Sequence, residues 1–235
     1  MNRLLLTSLS ATLVLIAACQ PAPRPSPPSP VVTAPTPESD FPGAERWPIL
    51  AAESELRILV YRGGALAKFG HNHVIVSRDL RGTVYRHRDF ERSGFEFSFP
   101  VASLVVDDPA LRREEGDDFA SVPSPADIEG TRRNMLRAEV LDAERFPEVQ
   151  IRSIAIHGTP ADARFVTRVT LRGASRELVV PAVIESEERR LVASGIATLR
   201  QSDFAMTPFS ILGGALKVAD DIVIKFRIVA VAPDT

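Results

Sequence analysis

Ile222-Val223-Ile224-Lys225-Phe226-Arg227-Ile228-Val229-Ala230 alternates with a period of two: Ile222, Ile224, Phe226, Ile228 and Ala230 fall on one side, Lys225 and Arg227 on the other. Successive side chains of an extended strand point to opposite faces, so this stretch presents one apolar and one polar face. The same pattern recurs upstream. Leu56, Ile58 and Val60 alternate with Arg57 and Tyr61, and Phe95, Phe97 and Phe99 with Glu96 and Ser98. Phe165, Val169 and Leu171 share a face against Arg164, Arg168 and Arg172. Leu178, Val180, Ala182 and Ile184 do the same, as do Leu191, Ala193, Gly195, Ala197 and Leu199. A succession of strands with one apolar and one polar face calls for an all-β architecture, an antiparallel barrel or sandwich.

Helix signals are confined to two places. Asp108-Pro109 opens a short helix through Glu115, with proline at the first helical position where its missing N–H costs nothing. Ser124-Pro125-Ala126-Asp127 has capping-box character, and a helix follows to about Leu136. No fixed-period repeat is evident.

The chain has 235 residues, of which 45% are hydrophobic, enough for one full-sized core. Its formal net charge is −2, with acidic and basic residues interspersed, which argues against nucleic acid or an anionic membrane surface as partner.

The first residues carry a single positive charge at Arg3, followed by an apolar run from Leu4 to Ala18 that is too short to span a membrane. It ends Ile16-Ala17-Ala18-Cys19, which resembles the bacterial lipobox, and Cys19 is the single cysteine of the chain. Cys19 therefore reads as a lipid attachment site, with acyl chains as the membrane anchor. Ten of the nineteen prolines lie between Gln20 and Pro48, the composition of a semi-extended spacer that cannot bury a core. The expected organisation is a signal peptide over 1–18, lipidated Cys19 with a proline-rich tether over 19–48, and one β domain over 49–235. Gln20 after the cysteine, in place of an inner-membrane retention Asp, points to the outer membrane facing the periplasm.

Chemistry-bearing motifs are few. In Lys68-Phe69-Gly70-His71-Asn72-His73, the two histidines project to the same side of an extended segment and could approach one metal ion, but zinc needs three or four ligands. The favoured reading is a hydrogen-bonded polar pair at a strand end. No nucleophile elbow, phosphate loop or dinucleotide fingerprint is present. Gly213-Gly214 reads as a turn, and Asp107-Asp108 and Asp117-Asp118 as solvated loop carboxylates. No catalytic residue, metal or cofactor is assigned.

Several strings together resemble the YceI-like family of exported, lipocalin-like proteins. They are Phe69-Gly70-His71-Asn72-His73 with Leu80-Arg81-Gly82-Thr83-Val84, Asn134-Met135-Leu136 through Leu141-Asp142, Phe146-Pro147 and Gln150-Ile151-Arg152-Ser153, Val169-Thr170-Leu171-Arg172-Gly173-Ala174-Ser175-Arg176-Glu177-Leu178, and Leu199-Arg200-Gln201-Ser202-Asp203-Phe204. The resemblance spans about 54–231 and implies an antiparallel lipocalin-like barrel whose interior holds an isoprenoid or similar hydrophobic small molecule. Against that pattern the stretch Asp107–Arg133 is long and charged, so the barrel mouth is expected to be covered or reshaped there.

The expected function is non-enzymatic binding of a long apolar or isoprenoid ligand. His71, His73, Arg200 and Asp203 are the candidates for a polar mouth, and Phe95, Phe97, Phe99, Phe165 and Phe226 for the apolar interior. Apolar strand faces describe a filled core and a lined pocket equally well. Small residues at Ala193, Gly195 and Ala197 mean either room inside or close strand packing. Two alternatives are an envelope interaction module with no internal ligand and a metal-assisted enzyme using His71 and His73.

Overall fold

A computed structural model describes residues 40–233. Cys19, the signal peptide and most of the spacer lie outside the described residues. In chain order the elements are β1 (Glu45–Pro48), β2 (Glu55–Gly63), β3 (His73–Ser77), β4 (Arg81–Arg86), β5 (Gly94–Pro100), β6 (Val105–Val106), α1 (Pro109–Glu114), α2 (Pro125–Leu136), β7 (Glu148–Thr159), β8 (Asp162–Leu171), β9 (Ala174–Ser186), β10 (Arg190–Arg200), β11 (Ser210–Ile211) and β12 (Leu216–Val231). Among the described residues no helix is long and apolar enough to cross a membrane.

All pairings are antiparallel, in the order β1-β4-β5-β7-β8-β9-β10-β12-β2-β3-β6, with β11 paired to β12. The sheet curls into a lipocalin-like half-barrel, as the alternation predicts. Strand β9 makes the corner. Its residues 174–182 pair with β8, whereas 183–186 pair with β10, so one strand serves two parts of the sheet in turn. On the far side, Ile49 bridges Ala230 and the Leu50 N–H donates to the Val229 carbonyl at 2.8 Å, drawing the β1 edge towards β12.

Both helices begin where the sequence places them. The Asp108 carboxylate accepts the N–H groups of Ala110 and Leu111, and Ser124 and Asp127 form the reciprocal capping box. The charged stretch over 107–133 and the last turn of α2 just beyond it join different cores. Leu111 and Phe119 pack with Leu59, Val74 and Val76 as a second, outer core on the β2–β3 face, while Met135 at the end of α2 joins the main core.

The domain boundary differs from the sequence expectation. The composition extends the spacer through Pro48, but Glu45–Pro48 is a strand paired with β4, Trp47 is 1% exposed, and Phe41 stacks on Tyr85 at 4.6 Å. Burial of Trp47 outweighs the proline-rich context. Pro48 is tolerated because β1 lies at the end of the sheet order, where a missing donor costs little.

Candidate ligand cavity

The apolar strand faces converge on a cavity of about 380 Å³, within the range of small-molecule sites. One part of its wall comes from β5, β7 and β8 and the other from β10, β12 and β2. Phe95, Phe97, Phe99, Phe165 and Phe226, the five interior candidates, all line it. Phe95 meets Phe165 edge-on at 5.1 Å and lies 6.1 Å from Phe97, so aromatic pairs pack the wall without filling the space.

The small residues of β10 divide between the two roles left open by the sequence. Ala193 and Ala197 line the cavity and give it width. Gly195 is a close approach instead: a Cβ there would lie 2.3 Å from the Pro181 carbonyl oxygen and 2.7 Å from the Phe226 ring.

Met135, Leu141, Leu171, Leu199 and Met206 line the cavity at one end. At the other end the wall includes Arg86 as the last residue of β4, His87 and Arg88 after it, Ser93 before β5, Pro160 in the β7–β8 turn and Ser186 at the end of β9. Sequence reasoning missed this basic string. Its signal was three consecutive basic residues where an alternating strand runs into a turn.

The four residues expected at a polar mouth are placed elsewhere, and none lines the cavity. His73 pairs with Val60, Val60 with Ile222, and Ile222 with Leu199, which puts His73 near the Arg200 end of β10, away from Ser186. The His73 Nδ1 lies 2.6 Å from Asp107 Oδ2. Asp107 also accepts the Val74 N–H at 2.9 Å and Arg112 Nη1 at 2.5 Å. Arg112 in turn donates to the carbonyls of Asn72, Phe119 and Ser121. Burial opposes ionisation of Asp107, but His73, the Val74 N–H and Arg112 outweigh it and hold the carboxyl below the usual range. This is a buried polar tie between β3 and the α1 segment. Asp107 is not the solvated loop carboxylate that its sequence context suggests.

His71 stands with its ring centroid 6.4 Å from that of His73. Among the described residues no group of three or more His, Cys, Asp or Glu is arranged to hold a metal ion. Arg200 pairs with Asp220 at 3.4 Å on the surface, and Asp203 is exposed in the 3₁₀ turn over 201–204.

The fold has known counterparts. Burkholderia cenocepacia BcnA superposes with a TM-score of 0.59 at 15% identity, covering 77% of this chain and 99% of that one. A polyisoprenoid-binding domain from Saccharophagus degradans superposes at 0.53 with 8% identity, covering 80% of this chain and 98% of that one. At these identities the likeness speaks for the fold alone. No curated protein matches the sequence. The family model of the YceI-like domain matches residues 47–230, which begins within β1 at Trp47 and takes in most of the chain, and the chain therefore belongs to the YceI-like family.

Proposed function

We propose that this protein binds one long apolar or isoprenoid molecule inside the half-barrel and carries it without chemical change, in the periplasm and tethered through lipidated Cys19. The observation that carries the reading is the cavity itself. Its wall is apolar over most of its length, from Phe95, Phe97 and Phe165 on one part of the sheet to Ala193, Ala197 and Ile224 on the other. Burial at about 25 cal/mol per Å² of apolar area is the main source of affinity for such a chain. The likeness to a structure described as polyisoprenoid-binding supports the same reading.

Organic-solvent extraction of the purified protein followed by mass spectrometry tests it. The wild type should release a long-chain apolar molecule at near-stoichiometric yield. Ala197→Phe, which narrows the cavity, should retain the fold by circular dichroism and release much less. A folded wild type with no extractable lipid would favour the interaction module, for which the exposed apolar side chains Val179, Val183 and Ile196 on the outer face of β9 and β10 are the supporting observation. Near-stoichiometric transition metal in the wild type would instead revive the enzyme reading through His71 and His73.

A further inference from the structure

The polar groups of the cavity wall are concentrated at one end. Thr167, along its length, and Gln201, at the other end, are turned to the backbone carbonyls of Phe165 and Ala219. Arg86, His87 and Arg88 gather where β4 runs into its turn, and among the described residues no carboxylate lines the cavity. The nearby acids are engaged outside the wall. Glu45 faces Arg86 at 3.9 Å, Asp89 caps the Glu91 N–H, and Glu91 lies 3.9 Å from His157.

The three basic groups differ in how free they are. Arg86 lies over the Trp47 ring at 5.0 Å, which orients it. His87 Nδ1 is held by the backbone of Asp89, lying 2.9 Å from its N–H and 3.3 Å from its carbonyl oxygen, which fixes the ring at the rim. Arg88 has no hydrogen-bond or ion-pair partner among the described residues, although its planar fork suits a phosphate or carboxylate. A guanidinium at the rim of an apolar cavity, unopposed by any acid in the wall, favours an anion there and disfavours a cation.

We propose that the ligand is an anionic amphiphile, a long apolar chain ending in a phosphate or carboxylate, seated with its head among Arg86, His87 and Arg88 and its chain running past Phe95 towards Phe99 and Leu199. This deepens the proposed function and rests on it. The orientation follows from the wall, since the opposite end offers only apolar side chains and the already bonded Gln201.

The test uses the purified, delipidated protein and displacement of a neutral apolar fluorescent probe. The competitors are a C20 prenyl monophosphate, the C20 prenoic acid, the C20 prenol and inorganic phosphate alone. The monophosphate should bind about tenfold or more tightly than the prenol, the gain of one charge-assisted contact. Arg88→Gln should weaken the monophosphate far more than the prenol and so remove most of that preference, and Arg86→Gln/Arg88→Gln should abolish it. Arg88→Gln breaks no contact among the described residues, so the result does not hang on a variant that fails to fold. Equal binding of the three lipids, or an anion preference that survives in both variants, overturns the proposal. Displacement by inorganic phosphate alone overturns it too, because the anion would then act without its chain. Failure of every lipid including the prenol to displace the probe removes the proposed function itself, an outcome distinct from loss of head-group preference.

Discussion

The Asp107 carboxylate and the Arg112 guanidinium meet at 2.5 Å with both side chains buried, and together they fasten the α1 segment to the outer face of β3. Asp107 holds this position with φ at +57°, a left-handed conformation that Asn and Asp adopt more readily than other non-glycine residues. Asp107→Asn therefore isolates the charge while keeping the backbone. At pH 7 it should cost about 3 kcal/mol, because it leaves Arg112 buried without its counter-ion. Since the folded-state pKa of Asp107 is depressed, the stability it contributes is present above the unfolded pKa and lost as pH falls through the folded value. Denaturant titrations of both proteins should converge progressively below about pH 4, the ordinary range of aspartate. A gap that stays constant into that acid range would show that ionisation of Asp107 is not what stabilises the tie.

Gly195→Ala places a methyl group against the Pro181 carbonyl and the Phe226 ring, neither of which is the free end of a flexible side chain. A loss of about 1–3 kcal/mol is expected in urea unfolding, the usual cost of overpacking. A neutral substitution would mean that β9 and β10 stand further apart at this point.

Phe204 is fully buried in the main core, whereas Leu178 faces the cavity. Phe204→Ala should cost about 3–5 kcal/mol. Leu178→Ala, measured on delipidated protein, should cost less than half as much, because Leu178 already lacks packing partners on its cavity side. Equal losses at the two sites would indicate an interior filled by side chains.

Deleting residues 20–36 should leave the melting temperature nearly unchanged, since that composition has almost no apolar surface to bury. Extending the deletion through Pro48 removes Trp47 and the β1 pairing and should lower it by several degrees or more. Differential scanning calorimetry distinguishes a boundary before β1 from one at Ile49.

If Cys19 carries the proposed lipid anchor, Cys19→Ser should release the protein from membranes, because the variant has no thiol to take the acyl chains. Fractionation that leaves the variant firmly membrane-bound would refute lipid anchoring.

The sequence alone determined what depends on neighbours along the chain. The alternation of β12, the Asp108 and Ser124 caps and the apolar faces carrying Phe95, Phe165 and Phe226 were legible because strand period and capping are set within a few residues. β1 was missed: the pattern over 45–48 is only four residues long, sits among prolines, and gains its stability from burial against β4. Tertiary structure alone decided where the cavity opens and what lies at its rim. His73 and Asp107 are thirty-four positions apart in the chain, and their pairing turns a plausible head-group ligand into part of a structural tie. Arg86, His87 and Arg88 reach the cavity rim because of where β4 ends relative to β5 and the β7–β8 turn. Alternation fixes which face of a strand is apolar, but strand stagger and the segments that pack across each end decide which end stays polar, and those are sums of contacts distant in sequence.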